Sequence, residues 1–419
     1  MKTTKNFGVR QRVERSERAA AFGKQCFVRE ILFQKRWLVR FASLATALQI
    51  FAAPACPEPY EAEHPDGGTR VFRLRGDEFF SWEEDDTGAK FTRGKHGRLE
   101  HLKQLGVRSE ELGVIQPTSN VFTPLSAVAG NAPLPRKLLV IVVEFSDIAP
   151  TSSHAFWEER FFGTTGKTVN AYYKAVSKNH FYYEPAFSNG VVFVTLASSH
   201  PNPPSNTSSN ADTRKAASDA LVAASALVDF SKFDTDKNGV ISREELALVF
   251  ILAGYESSIG GLPTPKVWGH HTSLATPPKL NGVTVGGGGY SMVGERHGTG
   301  AGVYASIGIL CHELGHSLGM QDLYDTSEKS YGVGGHCLMG YGSWGARAGE
   351  AAGTTPVFPC AFLRVKVGFA TAETVLNDTR NVTAASLATI FDTEILKVAT
   401  ANPTEYFLVE NRQLSGFDE

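Results

Sequence analysis

The chain has 419 residues, of which 42% are hydrophobic and 20% charged, and its formal net charge is -2. That length calls for two or three structural units, and that composition supplies a buried core, which excludes wholesale disorder. The near-neutral balance excludes the strongly basic footprint of a nucleic-acid partner, and no apolar run reaches the roughly 20 residues of a membrane-spanning helix.

Basic residues are scattered from Lys2 to Arg40. The run Phe41 to Ala53 is apolar, and Ala53-Pro54-Ala55 puts small residues where a signal peptidase reads. Residues 1–55 are therefore expected to be a secretory leader, with an extracellular product and no stable membrane insertion once the leader is removed. A buried helix, or a start assigned too far upstream of a shorter signal, is the competing reading of the same stretch. Cys56 directly after the cut raises a lipoprotein reading, but Ala-Pro-Ala is a poor lipobox. Of the five cysteines, Cys26 lies in the leader, while Cys311, Cys337 and Cys360 fall near the candidate site described below. Two of these three could pair in an oxidising compartment, in a combination the sequence leaves open. No CxxC spacing offers a cysteine zinc site.

Residues 56–116 are charged and mixed, with turns at Asp66-Gly67 and Gly76-Asp77, and are expected to form a small prosegment. Residues 117–136, rich in Pro, Ser, Asn and Ala, read as a linker. Lys137 to Phe145 is a nearly continuous apolar, β-branched run, which predicts a buried strand opening a domain over 137–419. Further along, the patterns predict a helix around Val169–Val176, a strand over Gly190–Leu196 and a loop over His200–Asn210. A helix over Thr213–Val228, a strand over Leu246–Ala253, a turn at Gly286–Gly289 and a long helix over Val303–Met320 follow. This alternation predicts a mixed α/β (α+β) domain built on a twisted sheet. Sequons at Asn206, Asn377 and Asn381 matter only in a glycosylating host.

The long helix carries His312-Glu313-Leu314-Gly315-His316-Ser317-Leu318-Gly319-Met320-Gln321-Asp322. Residues four apart share a helix face, so His312 and His316 aim two imidazoles at one point. Glu313 sits between them as the general base of the H-E-x-x-H arrangement. Gly319 permits a sharp reversal, after which Asp322 can supply a third ligand. Three protein ligands and one open position suit a catalytic zinc. H-E-x-x-H alone also occurs on ordinary helices with two solvated histidines; the extension to Asp322 is what makes the match specific.

A second metal pattern lies at Asp234-Thr235-Asp236-Lys237-Asn238-Gly239-Val240-Ile241-Ser242-Arg243-Glu244-Glu245. Asp234, Asp236, Asn238, the Val240 carbonyl and Glu245 fall at EF-hand loop positions, with Gly239 at the sharp turn. Because the next residues read as a strand, the expectation is half an EF-hand tied into a sheet, holding one structural calcium. An Asx-rich turn without metal is the alternative. His270 and His271, after Trp268, fit a structural role better than a ligand role.

From about Pro65 onward the sequence resembles the immune inhibitor A-like metallopeptidases, a metzincin family. The resemblance rests on Val143-Glu144-Phe145-Ser146-Asp147, Tyr172-Tyr173, Trp268-Gly269-His270, the extended zinc motif, Leu338-Met339 with Gly340-Tyr341-Gly342, and Glu405 to Arg412. It implies a metzincin-like catalytic domain, extracellular hydrolysis of protein or peptide substrates, and a domain that continues past Glu419. It implies that Met339 occupies the methionine turn beneath the metal. Tyr341, two residues later, matches a tyrosine that some metzincins use to stabilise the transition state; a packed aromatic is the equal alternative. Some metzincin prosegments place a Gly-Asp turn on the zinc, so Asp77 is expected either to ligate zinc in the precursor or to be a surface turn. The competing functions are a catalytically inactive binding module and a calcium-dependent adhesion module. The intact His312, Glu313, His316 and Asp322 set speaks against both, and the sequence does not give an oligomeric state.

Overall fold

The computed structural model describes residues 28–29, 51–77, 81–93, 98–102, 134–203, 211–325, 330–375, 395–400, 402, 405–412 and 415–418. Most of the expected leader, the linker before Leu134 and the three sequon asparagines lie outside the described residues.

The domain-opening strand runs from Leu134 to Glu144, three residues earlier than its apolar core suggests. Its uninterrupted hydrophobicity has a two-sided cause. Leu138, Val140 and Val142 face one core, and Leu139, Ile141 and Val143 face the other. A strand buried on both faces is the signature of a parallel sheet covered by helices. Its neighbours Val191–Thr195 and Ala247–Glu256 are indeed parallel to it, and Tyr290–Arg296 continues the parallel set. The direction then reverses: His270–Thr272 pairs antiparallel with Tyr290–Arg296, and Phe51–Ala52 pairs antiparallel with His270–Thr272 at the end of the sheet.

Helix Ala211–Ala224 covers one face through Ala216, Ala217, Ala220 and Leu221. The other face carries His154–Phe162, Val169–Val176 and Ile307–Ser317. Helix Val169–Val176 has the expected bounds, its first turn capped by the Thr168 hydroxyl, which accepts from the Ala171 N–H.

The expected helix over Val303–Met320 is shorter at both ends. Tyr304 bridges to Arg296, and the Ala305 N–H donates to the Glu295 carbonyl, so the helix starts at Ile307. At the other end the Gly319 N–H returns to the His316 carbonyl and the Met320 N–H to the Gly315 carbonyl. That is a Schellman stop, and it needs the φ of +94° that Gly319 adopts. The helix over Thr213–Val228 likewise ends early, at Ala224, in a turn closed by Val228 N–H to the Ala224 carbonyl.

Residues 60–101, within the charged and mixed stretch expected to be a prosegment, form a five-stranded antiparallel meander. Its strands are Tyr60–Glu63, Thr69–Gly76, Ser81–Asp85, Lys90–Arg93 and Leu99–His101. Alternation in Thr69–Gly76 buries Phe72 and Leu74, and Phe72 packs with Phe91 and Leu99. Asp85 closes one hairpin by accepting from Thr87 and Ala89 N–H groups. A third, smaller sheet near the end of the chain pairs Ala372–Val375, Ile395–Ala399 and Tyr406–Glu410. Among the described residues no helix is long and apolar enough to cross a membrane.

Candidate metal centre

His312 and His316 point from the buried face of helix Ile307–Ser317, and both are at most 3% exposed. The Schellman turn swings the chain back so that Asp322 meets them. Asp322 Oδ1 lies 3.1 Å from His312 Nε2 and 3.4 Å from His316 Nε2, and the two Nε2 atoms are 3.3 Å apart. Atoms about 2.0–2.2 Å from a tetrahedral zinc stand ~3.3–3.5 Å from one another, so this triangle has the size of a zinc face.

The proton positions make the same point. His312 Nδ1 lies 2.9 Å from the Leu338 carbonyl, and His316 Nδ1 lies 2.9 Å from the Met320 carbonyl. A carbonyl only accepts, so each Nδ1 carries the proton and each neutral ring presents a bare lone pair at Nε2. Burial pushes the His316 pKa down, which favours that neutral form. Three lone-pair atoms then face one another with no proton between them. Such a cluster repels itself unless a cation sits within it, and carbonyl-anchored histidines are the usual support of metal ligands.

Other elements fix the helix. The Tyr173 hydroxyl donates to the Cys311 carbonyl at 2.7 Å, and buried Arg136 donates to the Ser317 carbonyl at the helix C-terminus at 3.0 Å. Met339 is fully buried beneath the ligand-bearing turn: a Cβ at Gly315 would lie 2.9 Å from Met339 Sδ. The Met339 carbonyl accepts from the Leu323 N–H at 2.7 Å, which fastens the segment carrying Asp322. Tyr341 opens the short turn Tyr341–Trp344, and its ring meets that of Tyr331 edge-on at 5.8 Å. His271 is buried with its ring 6.0 Å from that of His316 and its Nδ1 3.1 Å from the Ser291 hydroxyl.

Glu313 is fully buried, and its Oε1 accepts from the Ala53 N–H at 2.9 Å. Burial first, then the Asp322 and Glu256 carboxylates, push its pKa well above the ordinary carboxylate value. Asp77 is also buried, at 2% exposure, but its carboxylate is not among the ligand atoms gathered with His312, His316 and Asp322. The chain segment that reaches Glu313 is Ala53, next to the expected leader cut. Cys56, Cys311, Cys337 and Cys360 form no disulfide, so none of the pairings left open by the sequence is made; the Cys360 N–H donates to Cys337 Sγ at 3.2 Å.

The second cluster gathers Asp234, Asp236 and Glu245, whose carboxylate oxygens lie within 4.8 Å of one another. Lys237 and Gly239 take the left-handed backbone, at φ of +60° and +81°. Asp234 accepts from the Asn238 and Gly239 N–H groups, and Asn238 Oδ1 accepts from the Val240 N–H. Glu245 spans the loop, taking Thr235 and Asp236 N–H groups on one oxygen and Ser242 on the other. The expected strand follows as Ala247–Glu256, but the incoming arm is only the 3-10 turn Phe230–Phe233. The Ile241 N–H donates to the Thr284 carbonyl, which ties the loop to the hairpin Lys279–Thr284.

The roles of three residues escaped the sequence reading. Glu256, at the end of an apolar strand, is fully buried and accepts from the N–H groups of Ser258, Gly269 and Gly294 and from the Ser258 hydroxyl. Trp268 and Trp344 project indole N–H groups onto the Ala53 and Pro54 carbonyls. Both tryptophans lie in stretches quoted as motifs, Trp268 in Trp268-Gly269-His270 and Trp344 at the end of Leu338 to Trp344, but neither was given a role.

A family described as immune inhibitor A peptidase M6, catalytic domain, matches residues 167–370, which hold both clusters and Met339. Residues 167–370 thus resemble a metallopeptidase catalytic domain. The chain resembles the immune inhibitor A-like metallopeptidases. It is 28% identical to the immune inhibitor A of Bacillus thuringiensis subsp. alesti over 35% of this chain and 22% of that relative, so the match spans about a fifth of the relative's length. No solved structure matches.

Proposed function

We propose that this protein is a secreted zinc endopeptidase that hydrolyses peptide bonds of extracellular proteins. One observation carries the reading: three unprotonated ligand atoms converge at 3.1–3.4 Å beside a glutamate on the same helix. His312, His316 and Asp322 would hold the zinc, and Leu338 and Met320 carbonyls orient the two imidazoles. A zinc bound there supplies Lewis-acid polarisation and lowers the pKa of water toward ~7. Glu313 takes the proton of the attacking water on its carboxylate and returns it to the leaving amine. Met339 supports the helix from below, and the Asp234–Glu245 loop holds a structural calcium that stiffens the face opposite. Secretion rests on the leader-like residues 1–55, and residues 56–116 act as a prosegment.

The experiment is zinc content and casein cleavage on the full chain, unmutated and as Glu313→Gln. The variant should keep stoichiometric zinc and lose cleavage by about 10²–10⁴-fold. Near-normal cleavage by Glu313→Gln, or absence of zinc from the unmutated protein, overturns the proposal.

A further inference from the structure

Two cysteines meet beside the turn that carries Met339. Cys337 follows the 3-10 turn Gly334–His336 and directly precedes Leu338, while Cys360 immediately precedes helix Ala361–Lys366. The two segments lie side by side. The Leu338 N–H donates to the Phe358 carbonyl at 3.4 Å, and the Cys360 N–H donates to Cys337 Sγ at 3.2 Å. The Cys360 thiol is a further hydrogen-bond partner of Cys337. Adding the covalent bonds on either side of that N–H contact leaves the two Cα atoms no more than about 7 Å apart, and a disulfide spans roughly 4.4–6.8 Å between them. Both residues are thiols in the structure, and both are 0% exposed.

Cys311 is buried as well, but its setting differs. It lies on the helix of His312 and His316, its neighbouring charge is Arg160, and burial holds its thiol well above the ordinary value. At Cys337 burial again works against the thiolate, but the Cys360 thiol and the Cys360 and Met339 N–H groups outweigh it and bring the pKa down. The thiolate is the form that attacks a disulfide, so Cys337 is the better nucleophile of the three-cysteine region and Cys360 is its neighbour. The place of the pair matters to the site. The Leu338 carbonyl, one residue on, accepts from His312 Nδ1 at 2.9 Å. The segment of Cys360 is anchored elsewhere: the Phe358 N–H donates to Asp418 Oδ1 and the Ala361 N–H to Glu410 Oε1, both at 2.9 Å. A bond from 337 to 360 therefore ties the carbonyl that orients His312 to a segment fixed by the last residues of the chain.

We propose that Cys337 and Cys360 are the pair that becomes cross-linked when the protein is exported, that Cys311 stays a thiol, and that the bond is a positioning device holding the Leu338 carbonyl on His312. This rests on the secretion and zinc readings above. The oxidant is another disulfide. The Cys337 thiolate attacks one of its sulfurs, which forms a mixed disulfide and releases one thiolate. The Cys360 thiolate then attacks the Cys337 sulfur, which forms the 337–360 bond and releases the second. The two cysteines give up two protons and two electrons, and the oxidant leaves as two thiols. Because both sulfurs are fully buried, the exchange takes place before the domain closes, and the finished bond is sheltered from reductants.

The test uses the full chain with Glu313→Gln, which suppresses self-cleavage, refolded in a mixture of reduced and oxidised glutathione and also recovered from the medium of a secreting host. Each sample is unfolded without reductant in an alkylating agent, digested and weighed. The peptides of Cys337 and Cys360 should appear as one cross-linked species, with Cys311 alkylated. Alkylation of all three after refolding in glutathione, or any bond that includes Cys311, overturns the pairing. For the positioning role, the same protein is reduced with a phosphine in denaturant, refolded without oxidant and freed of the reductant, so that no side chain has changed. The reduced form should melt roughly 5–10 °C lower, as expected for a closed loop of this length. It should also bind zinc about tenfold more weakly in a metal-buffered titration, the loss typical of a weakened support behind a ligand. Cys337→Ala combined with Cys360→Ala should match the reduced form in zinc affinity. Equal zinc affinity in the oxidised and reduced forms overturns the positioning role. A 337–360 bond in a protein that takes up no zinc upholds the pairing and sinks the zinc reading with the positioning role, and a bond formed on refolding in a protein that never reaches the medium sinks the secretion reading alone.

Discussion

At the scale of single residues, Glu256 shows how a carboxylate acts without touching the metal. It is fully buried, and burial raises its pKa although four hydrogen bonds to Ser258, Gly269 and Gly294 oppose that. Glu256→Ala leaves three main-chain N–H groups buried and unpaired, at about 1–3 kcal/mol each. The expected loss is about 3 kcal/mol or more, a fall in melting temperature of roughly 6–12 °C for a domain of this size. Cleavage should fall with it, because the Gly269 amide positions the Trp268–His271 segment. A melting temperature within a degree or two of the unmutated protein would show that the three amides find other partners. No local pattern hinted at this role: a glutamate closing an apolar strand reads as a solvated end, and its partners at Gly269 and Gly294 are 13 and 38 residues away.

At the scale of elements, the Asp234–Glu245 loop was legible as a twelve-residue pattern because its oxygens and its glycine are all local. Its setting was not, since Thr284 and the short incoming turn are tertiary facts. Glu245 already staples the loop. Partial burial works against its charge, but N–H and hydroxyl donors from Ser242 and Thr235 outweigh it and bring the carboxyl down to about 2. A cation bound only by this folded loop adds about 2.7 kcal/mol at a hundred times its Kd. Melting temperature should therefore rise between calcium-free and millimolar calcium at fixed zinc. Asp234→Ala, which also strands the Gly239 amide, should abolish the rise and lower the baseline. If the unmutated protein melts at one temperature across that range, the loop is an Asx turn held by its own glutamate.

At the scale of the whole molecule, the meander of residues 60–101 docks on the catalytic domain where side chains are absent to admit it. A Cβ at Gly260 would lie 2.2 Å from the Tyr60 ring, and one at Gly261 would lie 2.7 Å from it. Buried histidines occupy other joints between distant segments. His200 packs edge-on against Phe145 at 4.9 Å, and burial lowers its pKa to about 4 against the opposing pull of Asp147. His297 lies 6.1 Å from Trp344, and burial with the Arg160 charge lowers its pKa to about 3. Both pKa values fall below the unfolded value of about 6.5, so the stabilisation is complete above pH ~6.5 and is lost as pH falls toward the folded values. Between about pH 5.5 and 4.5 two such groups give a slope near 2.7 kcal/mol per unit. Melting temperature at saturating zinc should drop across that window, and less steeply in His200→Gln. A flat profile from pH 7 to 4.5 would mean that these rings take up protons without leaving the fold.

The sequence by itself determined what is carried by short spacing. His312 and His316 share a face because a helix repeats every 3.6 residues, Gly319 stops that helix because it alone tolerates the required φ, and Lys137 to Phe145 announces a strand buried on both sides. The tertiary structure alone decided what is carried by contact across the chain. Ala53 reaches Glu313 over 260 positions and Trp344 reaches Pro54 over 290, and the meander of residues 60–101 draws its order from pairing between strands with little apolar pattern of their own. No local periodicity encodes such meetings, because they are selected by which edges and cavities remain when the rest of the chain has packed.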